Sequence, residues 1–237
     1  MARPSPRSQA FDTELIIYLD RKMSTPEAAY DLHVHSRYSK DSSLAPRTII
    51  EAAKKRGLRG IAVTDHWSVK GGLEVRRTAP SDLTVIVGYE TRIQKQDVLC
   101  LFVEEEAKAD SMAELHDKIR ESGGITVLAH PYRMFSVGRA CADFDAIEVL
   151  NARISRGRNR RALELADKLH VPKVAGSDAH SVSEIGRAYT IVKQGCNPRE
   201  AILSGLTEPG GSESPLWVGI LSLLARMAAV SSKAIGG

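Results

Sequence analysis

Seven short apolar runs punctuate the chain, at 30–34, 60–63, 83–87, 98–103, 125–128, 146–150 and 173–175. Each is too short for a helix that buries a face, and each suits a buried strand. Between them, 46–56, 111–121 and 158–169 carry apolar positions at helical spacing, with Pro46, Ser111 and Asn159 as N-terminal signals and Gly57 and Gly123 as stops. Strand and helix patterns that alternate in this way predict an α/β fold with a parallel barrel rather than a sandwich. No internal repeat of fixed length is visible.

The pattern changes at both ends. Residues 1–29 form an N-terminal extension, polar and rich in Pro and Ser, with an apolar stretch at 15–19 expected as a strand or helix on the barrel's outside. After Leu206 the stretch TEPGGSES (207–214) has a linker's composition, and 215–230 is strongly apolar apart from Arg226. At about 16 residues this C-terminal segment falls short of the roughly 20 a bilayer span needs. A helix docked on the barrel or pairing with a second copy in a homo-oligomer fits it best, and membrane contact through Trp217 and the basic ends is the less favoured reading. With 237 residues and 43% hydrophobic content, the chain supports one sizeable core rather than two average domains. A single catalytic barrel over 30–206, flanked by 1–29 and 207–237, is the simplest organisation.

The polar residues that follow the apolar runs carry the chemistry. They read DLHVHS (31–36), TDH (64–66), GYE (88–90), AHP (129–131) and GSDAH (176–180). Five of the seven histidines, His33, His35, His66, His130 and His180, lie in these clusters. His116 and His170 do not: His116 falls within a helix, and His170 closes one, where an imidazole suits the negative end. Side chains at the ends of successive strands converge on one end of a barrel, and alternation along a strand places His33 and His35 on one face. Imidazole and carboxylate are the standing ligands of zinc, iron and manganese. The pattern points to a multi-metal site.

HxH, TDH, GxE, AHP and GSDAH in this order resemble the PHP (polymerase and histidinol phosphatase) superfamily, over about 30–192. The resemblance implies a distorted seven-stranded (β/α)7 barrel with up to three metals at its C-terminal mouth. It implies that His33, His35, Glu90 and Asp178 hold one metal, that Glu90 bridges to a second bound also by His130, and that Asp41, His66 and His180 match the ligands of a third. His33, His35, Glu90, His130, Asp178 and His180 form the expected catalytic set. Two positions depart from the commonest pattern: Asp97 is the only candidate where a histidine often stands, and Asp41 sits where some members have histidine. Carboxylate is the harder ligand, which favours manganese or iron over zinc.

Two metals about 3.5 to 4 Å apart activate a water and clamp phosphate oxygens, so the expected reaction is hydrolysis of a phosphate ester at a di- or trinuclear site holding two to three divalent ions (Mn, Zn or Fe). No G-x-S-x-G elbow is present for acyl transfer. The alternatives are a histidinol-phosphate-type phosphatase, a non-catalytic metal-binding regulatory module, against which the full ligand set argues, and an amidohydrolase-type barrel. The last would want a carboxylated lysine on a middle strand, where Glu90 and His130 stand instead. The 33 Lys and Arg outnumber the 29 Asp and Glu, and Arg37, Arg133, Arg153 and Arg156 are the candidates for substrate phosphate. The basic run at 151–161 suits a phosphorylated small molecule or short nucleic acid, while 5% aromatic content argues against a long stacking platform. Cys100, Cys141 and Cys196 are scattered, so neither a disulfide framework nor a thiolate zinc site is suggested. Arg3 and Arg7 lead into Phe11-Asp12-Thr13-Glu14, which breaks any apolar signal region. A reducing, cytoplasmic location is the expectation.

Overall fold

The computed structural model describes residues 27–133 and 144–215. The readings made for 15–19, for Cys141 and for the apolar C-terminal segment with Trp217 and Arg226 lie outside the described residues. In chain order the elements are β1 (Glu27–Val34), α1 (Pro46–Lys55), β2 (Gly60–His66), α2 (Lys70–Thr78), β3 (Thr84–Ile93), β4 (Gln96–Leu101), α3 (Met112–Glu121), β5 (Ile125–Leu128), β6 (Ala146–Asn151), α4 (Arg156–Leu169), β7 (Lys173–Gly176), β8 (Ala188–Lys193), α5 (Pro198–Leu203) and β9 (Thr207–Gly211). The seven apolar runs fall on β1 to β7. The caps are local: the Ser111 hydroxyl accepts from Glu114 N at 3.2 Å, and Asn197 Oδ1 accepts from Arg199 N at 2.9 Å to open α5.

One sheet holds all nine strands, in the order β7-β6-β5-β4-β3-β2-β1-β8-β9, and it curls into a nearly closed barrel. Closure occurs where His35 N donates to Ala179 O at 2.9 Å and Ala179 N to His33 O at 3.2 Å, stitching the end of β1 to the segment after β7. The Thr190 hydroxyl, between Ala175 N and Ala175 O, ties β7 to β8.

Three expectations change. The barrel is not all parallel, because β4 runs antiparallel to both β3 and β5. A two-residue turn at Gln94-Lys95, both at positive φ (49° and 68°), replaces a helical crossover there. The stretch read as linker from Thr207 opens with a strand, β9, paired antiparallel with β8, and β8 itself pairs antiparallel with β1. Helix α4 begins two residues earlier than expected, at Arg156. Among the described residues no helix is long and apolar enough to cross a membrane.

The pleat sorts side chains between an inner and an outer layer. Leu32, Ala62, Ile86, Leu99, Leu101, Val127, Ala146 and Val174 fill the interior with Ala201 and Ile202 of α5. Val63, Tyr89, Val98 and Ile147 face outward against the helices. Continuing the inner rows by twos leads to His66 on β2, Glu90 on β3, Asp97 on β4 and Glu148 on β6. In β1 the register on β2 shifts between Asp31 and Val34. Leu32 therefore belongs to the inner cluster and Val34 to the outer one, and the irregularity brings His33 and His35 into the mouth.

Gly88 shows how tightly the sheet closes beneath Glu90. A Cβ there would fall on the Cys100 carbonyl oxygen of β4 and lie 3.1 Å from Leu101 Cδ2. Gly88→Ala is expected to lower unfolding free energy by about 1–3 kcal/mol, the usual cost of overpacking. Denaturant titration checks it, and a variant as stable as the parent would contradict this packing.

Candidate metal centre

The five strand-end clusters meet at the mouth. His33 Nε2 and His35 Nε2 lie 3.1 Å apart. Glu90 Oε2 is 3.6 Å from His33 Nε2, 3.4 Å from His35 Nε2 and 3.1 Å from His66 Nδ1, while its Oε1 is 3.1 Å from His130 Nε2. Asp178 Oδ1 is 3.8 Å and 3.5 Å from the same nitrogens of His33 and His35. Asp41 reaches His180 Nε2 at 3.2 Å and His66 Nε2 at 3.6 Å. Potential ligand atoms group as His33/His35/Glu90, His33/His130/Asp178, Glu90/Asp97/His130 and His35/His66/His180, each within 4.8 Å.

Backbone strain accompanies this convergence. His130 has φ 27° and Asp178 φ 55°, conformations that non-glycine residues rarely adopt. Val127 and Ala129 point inward and Leu128 outward, so regular pleating would send His130 out of the mouth. Its positive φ turns it in.

The imidazoles are held from behind. His33 Nδ1 is 2.9 Å from Glu148 Oε1, and Glu148 Oε2 accepts from His130 N and Asn151 Nδ2, each at 2.9 Å. The Nδ1 of His35 lies 3.1 Å from Ser39 Oγ, which donates to Asp65 Oδ1 at 2.7 Å. Asp65 also accepts from Ser36 N and Oγ, at 2.7 and 2.6 Å. Behind His180, Glu184 Oε2 accepts from its backbone N at 2.9 Å. Asp31 accepts from Ser177 N and Gly186 N, each at 2.8 Å, and burial pushes its pKa up to about 6. Outer nitrogens engaged by protein, with inner nitrogens converging, describe a set of oriented ligands.

The electrostatics point to the same chemistry. Burial opposes ionisation of Glu90, yet His130, His33 and His66 hold its pKa well below the usual range. Burial opposes ionisation of Asp178 too, and Arg133 and His33 overcome it. Burial and His180 push His35 down to about 3. Burial resists charging of His66 as well, but Asp41 and Glu90 raise it to about 10. Buried charge demands a partner, and the buried atoms Glu90 Oε2, His130 Nδ1 and Asp178 Oδ1 have no hydrogen-bond partner. Divalent cations among these donors fit the arrangement.

The remaining candidates divide. Asp97 lies at the inner rim, 3.7 Å from His130 Nδ1, but Arg92 grips it in a fork at 2.5 and 2.8 Å. Arg133 Nη1 donates to Asp178 Oδ2 at 3.1 Å and lies 3.3 Å from His130 Nε2, so this cation faces the ligands. Arg153 lies against His180 Nδ1, the Asp178 carbonyl and Glu184. Arg37 is half exposed and paired with Glu74 of α2 at 2.8 Å, away from the cluster. Arg156 lines a different cavity, with Leu150, Leu163 and Pro209. Arg37 and Arg156 thus stand apart from the ligand cluster, whereas Arg153 reaches it through His180 and the Asp178 carbonyl. His116 is outside the site, its Nδ1 2.9 Å from Thr126 Oγ1, and His170 is the left-handed C-cap of α4.

A family model described as the PHP domain matches residues 31–151, and a second, described as PHP-associated, matches 156–208. The chain belongs to the PHP family. PHP proteins are metal-dependent hydrolases. This PHP chain is 30% identical over 210 residues to a Syntrophotalea carbinolica protein named "Probable phosphatase", across 70% of this chain and 87% of that one. PsfC from Pseudomonas syringae shares its fold, with a TM-score of 0.64 at 19% identity over 85% of this chain and 98% of PsfC. Endonuclease Q, in complex with a duplex substrate carrying an abasic lesion at the active site, shares it at a TM-score of 0.59 and 20% identity, over 79% of this chain and 60% of that one.

Glu148 was not singled out in the sequence, although a lone acid on an inward position of the apolar strand AIEVLN was its signal. Glu148→Gln keeps the shape and removes the charge behind His33. It is expected to weaken metal affinity about 10- to 100-fold, measured by competition with a chromophoric chelator. Unchanged affinity would mean that the strands alone orient His33.

Proposed function

We propose that this PHP protein hydrolyses a phosphate ester at a di- or trinuclear metal site built from His33, His35, Asp41, His66, Glu90, His130, Asp178 and His180. The observation that carries the reading is Arg133, a guanidinium aimed at the same Asp178 and His130 that face the ligand cluster. Divalent metals, when bound, lower the pKa of a water to near neutrality and neutralise phosphate oxygens. The protein's part is placement. Glu90 offers one carboxylate oxygen to His33, His35 and His66 and the other to His130, which is the arrangement of a bridging ligand. Arg133 presents fixed donors to a non-bridging phosphate oxygen. A cavity of about 220 Å³ beside it is lined by Arg92, Lys95, Asp97, His130 and Arg133, a cationic lip suited to an anionic substrate.

The carboxylates Asp41, Glu90 and Asp178 among the proposed ligands favour manganese or iron over zinc. A panel of phosphomonoesters and diesters, assayed on chelated protein reloaded with manganese, zinc or iron, tests the reading. Arg133→Ala is expected to lower kcat/KM by more than about tenfold, the loss of a charge-assisted hydrogen bond. Arg37→Ala, which breaks a half-exposed ion pair with Glu74 and a contact over the Tyr38 ring, is expected to change it less than about twofold. Failure to turn over any ester with any of these metals, or an unchanged Arg133→Ala, contradicts the proposal.

A further inference from the structure

We infer that Arg158 and Arg161 of α4 are positioning residues that clamp the turn from His130 to Arg133 and so hold the Arg133 guanidinium against the ligand cluster. The inference rests on the phosphate role proposed for Arg133 and adds what keeps that side chain in place. Local rules are broken at the start of α4. Four arginines stand among its first six residues, RGRNRR, and its first turn carries no acid. Cations are unfavourable at the positive end of a helix, and like charges three or four residues apart repel. A sequence that breaks such rules is compensated elsewhere in the fold. The four arginines divide by helix face. Arg156 and Arg160, four apart, line the cavity with Leu163 and Pro209, and Arg160 pairs with Glu164 at 3.5 Å. Arg158 and Arg161, three apart, meet the segment that follows β5.

Arg158 Nη1 donates to the Arg133 carbonyl oxygen at 3.0 Å. The Arg161 guanidinium lies over the Tyr132 ring, 4.2 Å from its centroid, within the range of a cation–π contact. Two side chains of one helix thus grip two consecutive residues, and the second of these is Arg133. The grip meets a need. His130, at φ 27°, stands in a strained conformation, which persists where its surroundings over-determine it. Its entry is fixed, since Ala129 N donates to Asp97 O and His130 N to Glu148 Oε2, each at 2.9 Å. Its exit is the turn closed by Arg133 N on His130 O at 2.9 Å, and α4 holds the far end of that turn. From there Arg133 Nη1 reaches Asp178 Oδ2 at 3.1 Å. The basic run at the start of α4 is in this respect turned on the protein itself. Both clamp arginines are exposed, so replacing them leaves the core untouched.

The test replaces both clamp arginines, as Arg158→Ala with Arg161→Ala, in wild-type protein and in Arg133→Ala. Metal-loaded protein is assayed for kcat/KM on p-nitrophenyl phosphate and bis(p-nitrophenyl) phosphate, and exchange of the Arg133 amide hydrogen is followed by NMR. In wild type the paired replacement is expected to lower kcat/KM about five- to tenfold and to speed that exchange at least about fivefold, with metal content unchanged. Added to Arg133→Ala, the same pair is expected to cost less than about twofold more, because it acts through a side chain already gone. A general structural defect would lower that variant as well. Arg160→Ala removes a charge from the same helix and is expected to move neither readout by more than about twofold. A paired variant as active as wild type, an undiminished loss in the Arg133→Ala background, a matching loss in Arg160→Ala, or unchanged amide exchange overturns the clamp, while turnover by wild type leaves the phosphoester reading standing. No turnover of either ester, or an unchanged Arg133→Ala, overturns the phosphate reading, and the amide exchange alone then decides the clamp.

Discussion

One carboxylate organises this molecule. Glu90 is buried at the barrel mouth with four imidazoles around it: His33, His35 and His66 on one oxygen and His130 on the other. A buried carboxylate among four imidazoles, three of them buried and His66 partly exposed, is unstable unless positive charge is shared among them. The imidazoles keep Glu90 ionised, while burial drives His35 towards its neutral form and neighbouring acids hold His33 and His66 towards their charged forms. Divalent cations among these donors would supply the same balancing charge, and the buried acids behind the histidines orient the donors for them.

The arrangement reaches outward in layers. Behind the histidines stand buried acids, with Glu148 against His33, Asp65 against Ser39 and so His35, and Glu184 against the backbone of His180. Beneath them the inner rows of the sheet set the height of each ligand, and close backbone approach at Gly88 and Gly176 fixes the spacing. A Cβ on Gly176 would stand 2.5 Å from His33 Cβ and 3.0 Å from Glu148 Oε1. Backbone strain at His130, Asp178 and Trp67 is confined to the strand ends where side chains must turn into or around the mouth.

Much of this was legible in the sequence because strand ends write themselves as an apolar run followed by a ligand-type residue. His33, His66, Glu90, His130 and Asp178 were all readable in that way, and the structure brings them together. What was hidden depends on distant partners or on backbone geometry. The antiparallel turn of β3 into β4 uses Gln94-Lys95, which lacks the Asn-Gly or Gly signal of such turns. Helix α2 opens with Lys70-Gly71-Gly72, a helix-breaking sequence, yet Gly71 is required there because a side chain would collide with Asp65 Oδ2 and Ser36 Oγ. The shift in β1 that separates Leu32 from Val34 leaves no trace in an apolar pattern. Arg37 looked like a phosphate ligand beside the first motif, but Glu74, thirty-seven residues on, claims it.

The metal content of the protein tests most directly whether the buried histidine and carboxylate cluster is a metal centre. Protein purified without chelator and analysed by plasma mass spectrometry is expected to carry two to three equivalents of transition metal per chain, by the two-metal logic of such sites. Less than about one equivalent, in folded protein offered manganese, zinc and iron, would contradict the account.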